Sequence, residues 1–154
     1  MVQQAVKTVA QNKAARHEYY IEDTVEAGLV LSGTEVKSIR QGKANLKESY
    51  IFHKDGEMFV RGMHISPYEQ GNINNLDPVR VRKLLLNKRE IRKLHALTQQ
   101  AGLTLIPLRL YLKQGLVKME LAVARGKKLH DKRDSDAQRT AKRDMERSMK
   151  DFSR

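Results

Sequence analysis

No cysteine and no tryptophan occur among the 154 residues, and proline appears three times. Without cysteine there can be neither a disulfide framework nor a thiolate metal centre, and a reducing, cytoplasmic compartment is compatible. Five Tyr and three Phe make up the aromatic content, which argues against reading single-stranded nucleic acid by base stacking alone. Long apolar runs are also missing. The aliphatic cluster around Leu84, Leu85 and Leu86 falls far short of the ~20 apolar residues that a membrane span requires. Residues 1–14, MVQQAVKTVAQNKA, lack the apolar core of a secretory signal and read as a flexible start.

Catalytic constellations are equally scarce. The histidines at 17, 53, 64, 95 and 130 lie one per segment, with no partner at metal-ligand spacing, so neither a metal nor a cofactor is expected. The sequence holds no phosphate-cradling glycine loop and no Gly-x-Ser-x-Gly elbow. His130 and Asp131 through Asp134 could be imagined as an acid-base group, but adjacent residues on a helix point apart and nothing orients them. The chain therefore reads as a binding protein, not an enzyme. Acidic charge is the scarcer sign: 30 Lys and Arg stand against 18 Asp and Glu, a net charge of +12. Such an excess points to a polyanionic partner, with RNA, DNA and anionic membrane all open on charge alone.

What is present is organised around residues 26–50. Ala27, Leu29 and Leu31 alternate with Glu26, Gly28 and Val30 as in a half-buried strand. Ser32 and Glu35 then have the spacing of a capping box, and Gly42 is placed to end the helix that it opens. Val36 and Ile39 share one face of that helix, while Lys37 and Arg40 share another and Lys43 follows. A basic outer face of this kind is ordinarily just solvated. Tyr19, Tyr20 and Ile21 begin a preceding strand, with a tight reversal expected at Asp23-Thr24.

Further on, Leu46 to Ile65 reads as a hairpin turning at Asp55-Gly56. Tyr50 and Phe52 on one arm are expected to meet Met58 and Val60 on the other, as core. After a Gln/Gly/Asn-rich loop, Asn87 and Glu90 cap a helix whose buried stripe is Ile91, Leu94, Leu97 and Ala101. Around its start Arg80, Arg82, Lys83, Lys88, Arg89, Arg92 and Lys93 face a single acidic residue, Glu90. That density, with Arg82 and Lys83 at its centre, is hard to explain by solubility. A second hairpin joins residues 104–113 and 116–124, with Leu108, Leu110 and Leu112 on one face and a wet face opposite. Pro107 should sit at an edge or a bulge. Beyond Val123 large aliphatics nearly vanish, and 11 basic and 6 acidic residues follow from Arg125 to Arg154. There, Ala137, Ala141, Met145, Met149 and Phe152 recur along one side of a helix, with Lys142 and Arg143 among the basic residues opposite.

These elements predict a mainly β fold with short α-helices, a six-stranded antiparallel OB-like β-barrel over 15–124, and a basic C-terminal tail over 125–154. The apolar area of the tail stripe is small, so the tail is expected to be disordered when free and to become helical on RNA. The segments ARHEYYIED, EAGLVLSGTEVKSIRQGKAN and ESYI, the stretch Asp77 to Asn87, and Ala124 to Arg133 resemble the small protein B family, which binds transfer-messenger RNA in trans-translation. Thr34 departs from relatives that carry Trp there.

The resemblance implies a cytoplasmic, monomeric RNA adaptor that grips the transfer-RNA-like domain of transfer-messenger RNA and delivers it to stalled 70S ribosomes. There it would stand in for the missing codon-anticodon stem beside small-subunit ribosomal RNA. It assigns Glu26, Leu85 and Asn87 to the RNA grip and puts Arg16 and His17 near the RNA. The basic helix face adds Lys37, Arg40 and Lys43 to the expected RNA grip, and the basic run before Asn87 adds Arg82 and Lys83. The run Lys127, Lys128, His130, Asp131, Lys132 and Arg133 matches the family's basic segment at the decoding site, and Lys142, Arg143 and Met149 belong to the tail. The alternative is a ribosome-associated structural protein that binds ribosomal RNA directly, without transfer-messenger RNA.

Overall fold

Three strands of 11 residues each form the frame: β2 Tyr19–Leu29, β8 Leu103–Lys113 and β9 Leu116–Gly126. In this computed structural model residues 6–70 and 75–128 are described, together with Arg133, Arg139, Thr140, Lys142 and Arg143. The remaining elements are β1 Val6–Gln11, α1 Ala15–Glu18, α2 Gly33–Arg40, β3 Ala44–Asn45, β4 Tyr50–Lys54, β5 Glu57–Arg61, β6 His64–Ile65, β7 Arg82–Leu85 and α3 Lys88–Thr98. The fold is mainly β. Starting from β8, antiparallel pairing runs through β9, β2, β7, β5 and β4, and Ile51 of β4 opposite Leu105 brings the order back to β8. Six strands thus form a ring, and the short β3 and β6 pair separately.

Inside the ring lie Met58, Val60, Leu84, Leu105, Leu110, Met119 and Leu121, all essentially inaccessible. α2 sits where β2 leaves the ring, contributing Ile39, and α3 sits where β7 leaves it, contributing Ile91 and Leu94. Both helices start with the capping box expected of them, Ser32 with Glu35 and Asn87 with Glu90.

Several expectations need correcting. Asp23-Thr24 is no reversal: β2 runs straight through it, because β9 is long enough to pair with both halves. The polar pair instead follows a bulge between Ile21 and Asp23, with the Thr24 amide donating to the Asp23 carboxylate at 2.9 Å. Residues 6–11, expected within a flexible start, form β1 along the far half of β8. The ladder with β8 orders that strand, and Val9 and Ala10 pack against the core. In the 54–57 hairpin the two-residue turn sets Phe52 opposite Phe59 and Ile51 opposite Val60. Tyr50 and Phe52 therefore do not meet Met58 and Val60; they project to the outer side.

Pro107 does mark a bulge. Its effect is to carry Leu108 out of the face shared by Leu110 and Leu112. Leu108 joins Ile106, Ala122, Ala124 and Ala15 in a small second cluster under α1, so the outer side of β8 and β9 is not uniformly wet. Asn12 satisfies the two carbonyls at the bulge, donating from its amide N–H to Leu108 at 2.7 Å and from Nδ2 to Pro107 at 3.0 Å. β9 runs on to Gly126, past the boundary expected at Ala124.

Arg82, expected in the RNA grip, is fully buried. On β7 it alternates with the exposed side, and its guanidinium passes inward to the Glu35 carboxylate of α2, Nε to Oε2 at 2.6 Å. It also donates to the carbonyls of Met63 (2.7 Å), Arg80 (3.1 Å) and Pro78 (3.0 Å), so four of its five N–H donors are placed. Arg80 adds an Nε bond to Glu35 at 3.1 Å, and Glu35 also accepts the Ser32 amide at 3.0 Å. Burial alone would raise the Glu35 pKa, but hydrogen bonds from Arg80, Ser32 and Arg82 outweigh it and hold the carboxyl below its ordinary value.

A depressed folded-state pKa contributes stability above the unfolded value of about 4.3 and loses it as pH falls through the folded pKa. Glu35→Gln keeps the size and the cap acceptor but strands the buried Arg82 charge. Urea unfolding at neutral pH should show a loss of ~3–5 kcal/mol, narrowing below about pH 4. A variant whose deficit stays constant down to pH 2 would disprove the assigned role.

Candidate nucleic-acid interface

Alternation along β7 sorts its residues: Arg82 and Leu84 face inward, while Lys83 and Leu85 face out. Leu85, 53% exposed, lies over Gly28 of β2, where any Cβ would come within 3.2 Å of the Leu85 Cβ. Glycine at 28 is what lets the leucine rest flat on the strand. Glu26 is the next outward residue on β2, and Asn87 follows Leu85 by two positions. The three residues that the family resemblance singles out therefore converge on one outer surface around Gly28.

Each of them also has a structural partner. Asn87 Oδ1 accepts the Glu90 amide at 2.8 Å, and the Asn87 amide donates to the Glu90 carboxylate at 3.3 Å. The cap uses the side-chain oxygen, and the Nδ2 donors take no part in it. Glu26 accepts a hydrogen bond from the Tyr111 hydroxyl and another from Lys113 Nζ at 3.3 Å. The Tyr111 bond is the main reason that the Glu26 pKa lies below the ordinary value, with partial burial opposing and Lys113 assisting. Burial first, and then the bond to Glu26, raises the Tyr111 pKa, so the phenol stays a donor at neutral pH. The Arg109 guanidinium lies 4.5 Å over the Tyr111 ring and reaches Glu120 at 3.4 Å. Tyr111 itself is buried, so what Glu26 organises on the outside is cationic, with Lys113 beside it and Arg109 over the covered ring.

The helix face lies next to it. Arg40 Nη2 donates to the Gly115 carbonyl at 3.2 Å, in the turn directly after Lys113. Lys37 Nζ stands 5.4 Å over the Tyr68 ring, and Lys43 is exposed just past the helix. Lys83 pairs loosely with Glu57 at 3.6 Å. Lys37, Arg40, Lys43 and Lys83 keep their charges on the outside, in contrast to Arg82.

Arg16 and His17 are elsewhere. They belong to α1 at the opposite end of β2, an 11-residue strand that extends roughly 35 Å at ~3.3 Å per residue. Lys127 is beside them: its amide donates to Glu18, its Nζ to the Arg16 carbonyl at 2.9 Å, and that ammonium lies 4.9 Å over the Tyr20 ring. The root of the tail is therefore fastened to α1. Lys128, Arg133, Lys142 and Arg143 are exposed, whereas His130, Asp131, Lys132 and Met149 lie outside the described residues. Among the described residues no group of three or more His, Asp or Glu is placed to hold a metal.

A family model described as SmpB protein matches residues 9–151. The chain belongs to the SmpB family. An SsrA-binding protein of Ruminiclostridium cellulolyticum is 68% identical over 151 residues, covering 98% of each chain, and one from Clostridium botulinum is 65% identical over 147 residues, covering 96% of this chain and 94% of its own. A solved structure described as "tmRNA-SmpB: a journey to the center of the bacterial ribosome" matches with a TM-score of 0.66 and 48% identity, over 77% of this chain and 84% of that one.

In this chain, sequence reasoning missed Gly28 and Lys113 as parts of the surface and the buried Tyr111 that supports it. The alternation of Leu110 and Leu112 with Tyr111 and Lys113 holds the signal for the last two, because it turns both away from the interior of the ring, Lys113 partly exposed and Tyr111 covered. Asn87→Asp tests the shared role of the cap. It should melt within a few tenths of a kcal/mol of the parent, whereas Asn87→Ala loses ~1 kcal/mol. RNA binding should weaken in both, because the Nδ2 donors are gone; unchanged binding by the Asp variant would make Asn87 a cap and nothing more.

Proposed function

We propose that the chain binds transfer-messenger RNA (SsrA RNA) and carries it to stalled ribosomes in trans-translation. The observation that carries this reading is the 68% identity to an SsrA-binding protein across 98% of both chains. The surface around Gly28 supports it, since it combines polar donors, an exposed leucine and surrounding lysines. In this reading the ring is an OB-like barrel, which removes sheet edges by closure and offers its outer wall to RNA. Leu85, Asn87 and Glu26 with the cations beside it would contact the transfer-RNA-like domain, which would be recognised by shape, phosphate and 2′-hydroxyl contacts. The protein supplies no chemistry of its own, works in the cytoplasm, and contributes position and charge.

The tail has a separate task. Because Lys127 is tied to α1, the residues after it start roughly 25–30 Å along β2 from the grip at ~3.3 Å per residue. Residues 134–152 as a helix would extend ~28 Å at ~1.5 Å per residue, enough to probe an empty message channel while the body holds the carrier RNA. Two measurements test the reading. Sequencing the RNA retained by the tagged protein should return one dominant small RNA; ribosomal RNA alone would favour a ribosome-bound structural protein. Deleting 134–154 should leave binding of the small RNA nearly intact and abolish tagging of stalled chains. Full tagging by the truncated protein would end the proposed role of the tail.

A further inference from the structure

We propose that the outer face of β4, β5 and β7 is a base-stacking surface, on which unpaired bases of a bound RNA lie against Phe52 and Phe59 while Arg61 and Lys83 meet the adjoining phosphates. This rests on the RNA-binding reading above and adds a second kind of contact to it. The hairpin register supplies the geometry. Asp55 and Gly56 take positive φ values of 51° and 77°, the two-residue turn that sets Lys54 opposite Glu57. Counting back, Phe52 falls opposite Phe59 and Tyr50 opposite Arg61, all on the side away from the core, while Ile51, Met58 and Val60 fill the interior. Two of the chain's three Phe are thus spent on an outer wall.

Their arrangement is that of a platform. The Phe52 and Phe59 rings stack at 5.6 Å with 25° between planes, and Tyr50, 43% exposed, extends the row at 6.3 Å. Cations are interleaved with the rings: Lys83 is directly across from Phe59 on β7, and Arg61 directly across from Tyr50. Glu57 is the acidic member of these rows and stands 3.6 Å from Lys83. A cross-strand aromatic pair can exist solely to stabilise a hairpin, but that role does not require flanking cations. An apolar protein partner would have to bury those cations, whereas an RNA strand pairs its phosphates with them and its bases with the rings. The face also continues into the grip, since Leu85 is the next outward residue after Lys83 on β7. Structured RNA commonly presents such bases in loops, splayed out of the helix.

The absence of tryptophan makes the test direct. Phe59→Trp keeps an aromatic at the centre of the platform and is the chain's single indole. The full-length variant is titrated with three probes: a transcript of the transfer-RNA-like domain, a short oligoadenylate, and a fully paired RNA duplex. Stacking predicts strong quenching of the indole by the transcript and the oligoadenylate, and little by the duplex. In parallel, Phe52→Leu/Phe59→Leu should bind the transcript ~10-fold or more weakly, with an unchanged dependence on salt because no charge is removed. Transcript binding that leaves the indole unmoved overturns the stacking face while the RNA-binding reading stands. Quenching by oligoadenylate with no preference for the transcript over duplex supports the face and removes the transfer-messenger RNA reading. Should the double Leu variant fail to fold, the indole titration decides.

Discussion

A single carboxylate, buried between two guanidinium groups, sets the geometry on which the other elements rely. Glu35 ties α2 to the start of β7 through Arg82 and to the segment before it through Arg80, and it holds the first turn of its own helix through Ser32. Taking the Glu35 and Arg82 charges out of water is costly, and a well-packed apolar pair can match the stability. What the network adds is direction. With Arg82 pulled inward, Lys83 and Leu85 must point outward, and with Glu35 and Ile39 turned to the core, Lys37 and Arg40 lie on the outer side of α2. One buried network thus separates the basic residues into those that hold the scaffold and those that stay on the outside.

The long strand β2 imposes the second constraint. One end carries Gly28, across which Leu85 lies; the other carries α1 and the lysine that fastens the tail. A continuous ladder with β9 joins them, so the separation between the grip and the tail root is held by hydrogen bonds and not left to a flexible linker. This is the property that an adaptor needs when its two ends must reach different places. In the SmpB family's proposed task, one end holds the carrier RNA and the other introduces the tail.

Much of this is legible in the amino-acid order. Both capping boxes, the Asp55-Gly56 turn and the bulge at Pro107 follow from local chemistry, and local chemistry survives folding. The features that mislead share a different cause. Asp23-Thr24 has the composition of a turn, but the length of β9 overrides it. Arg82 looks like any other residue in a basic run, because burial depends on the parity of β7 and on a carboxylate 47 positions away in sequence. The aromatic hairpin suggests core because aromatic residues are commonly buried, and only the turn geometry, carried through to each pair, shows otherwise. β1 gives little signal because its partner, β8, supplies the order.

If the buried carboxylate divides the basic residues into two classes, the effects of the two are separable. The salt dependence of RNA binding, measured beside thermal stability, separates them. Replacing Lys37, Arg40 and Lys83 together with Ala should lower the slope of log K against log salt by ~0.7–0.9 for each phosphate no longer neutralised, with the melting temperature nearly unchanged. Replacing Arg82 with Met should shift the melting temperature while leaving that slope where it was, under conditions in which the variant remains folded. An unchanged slope in the triple variant, or a slope lowered by Arg82→Met in folded protein, would contradict the division.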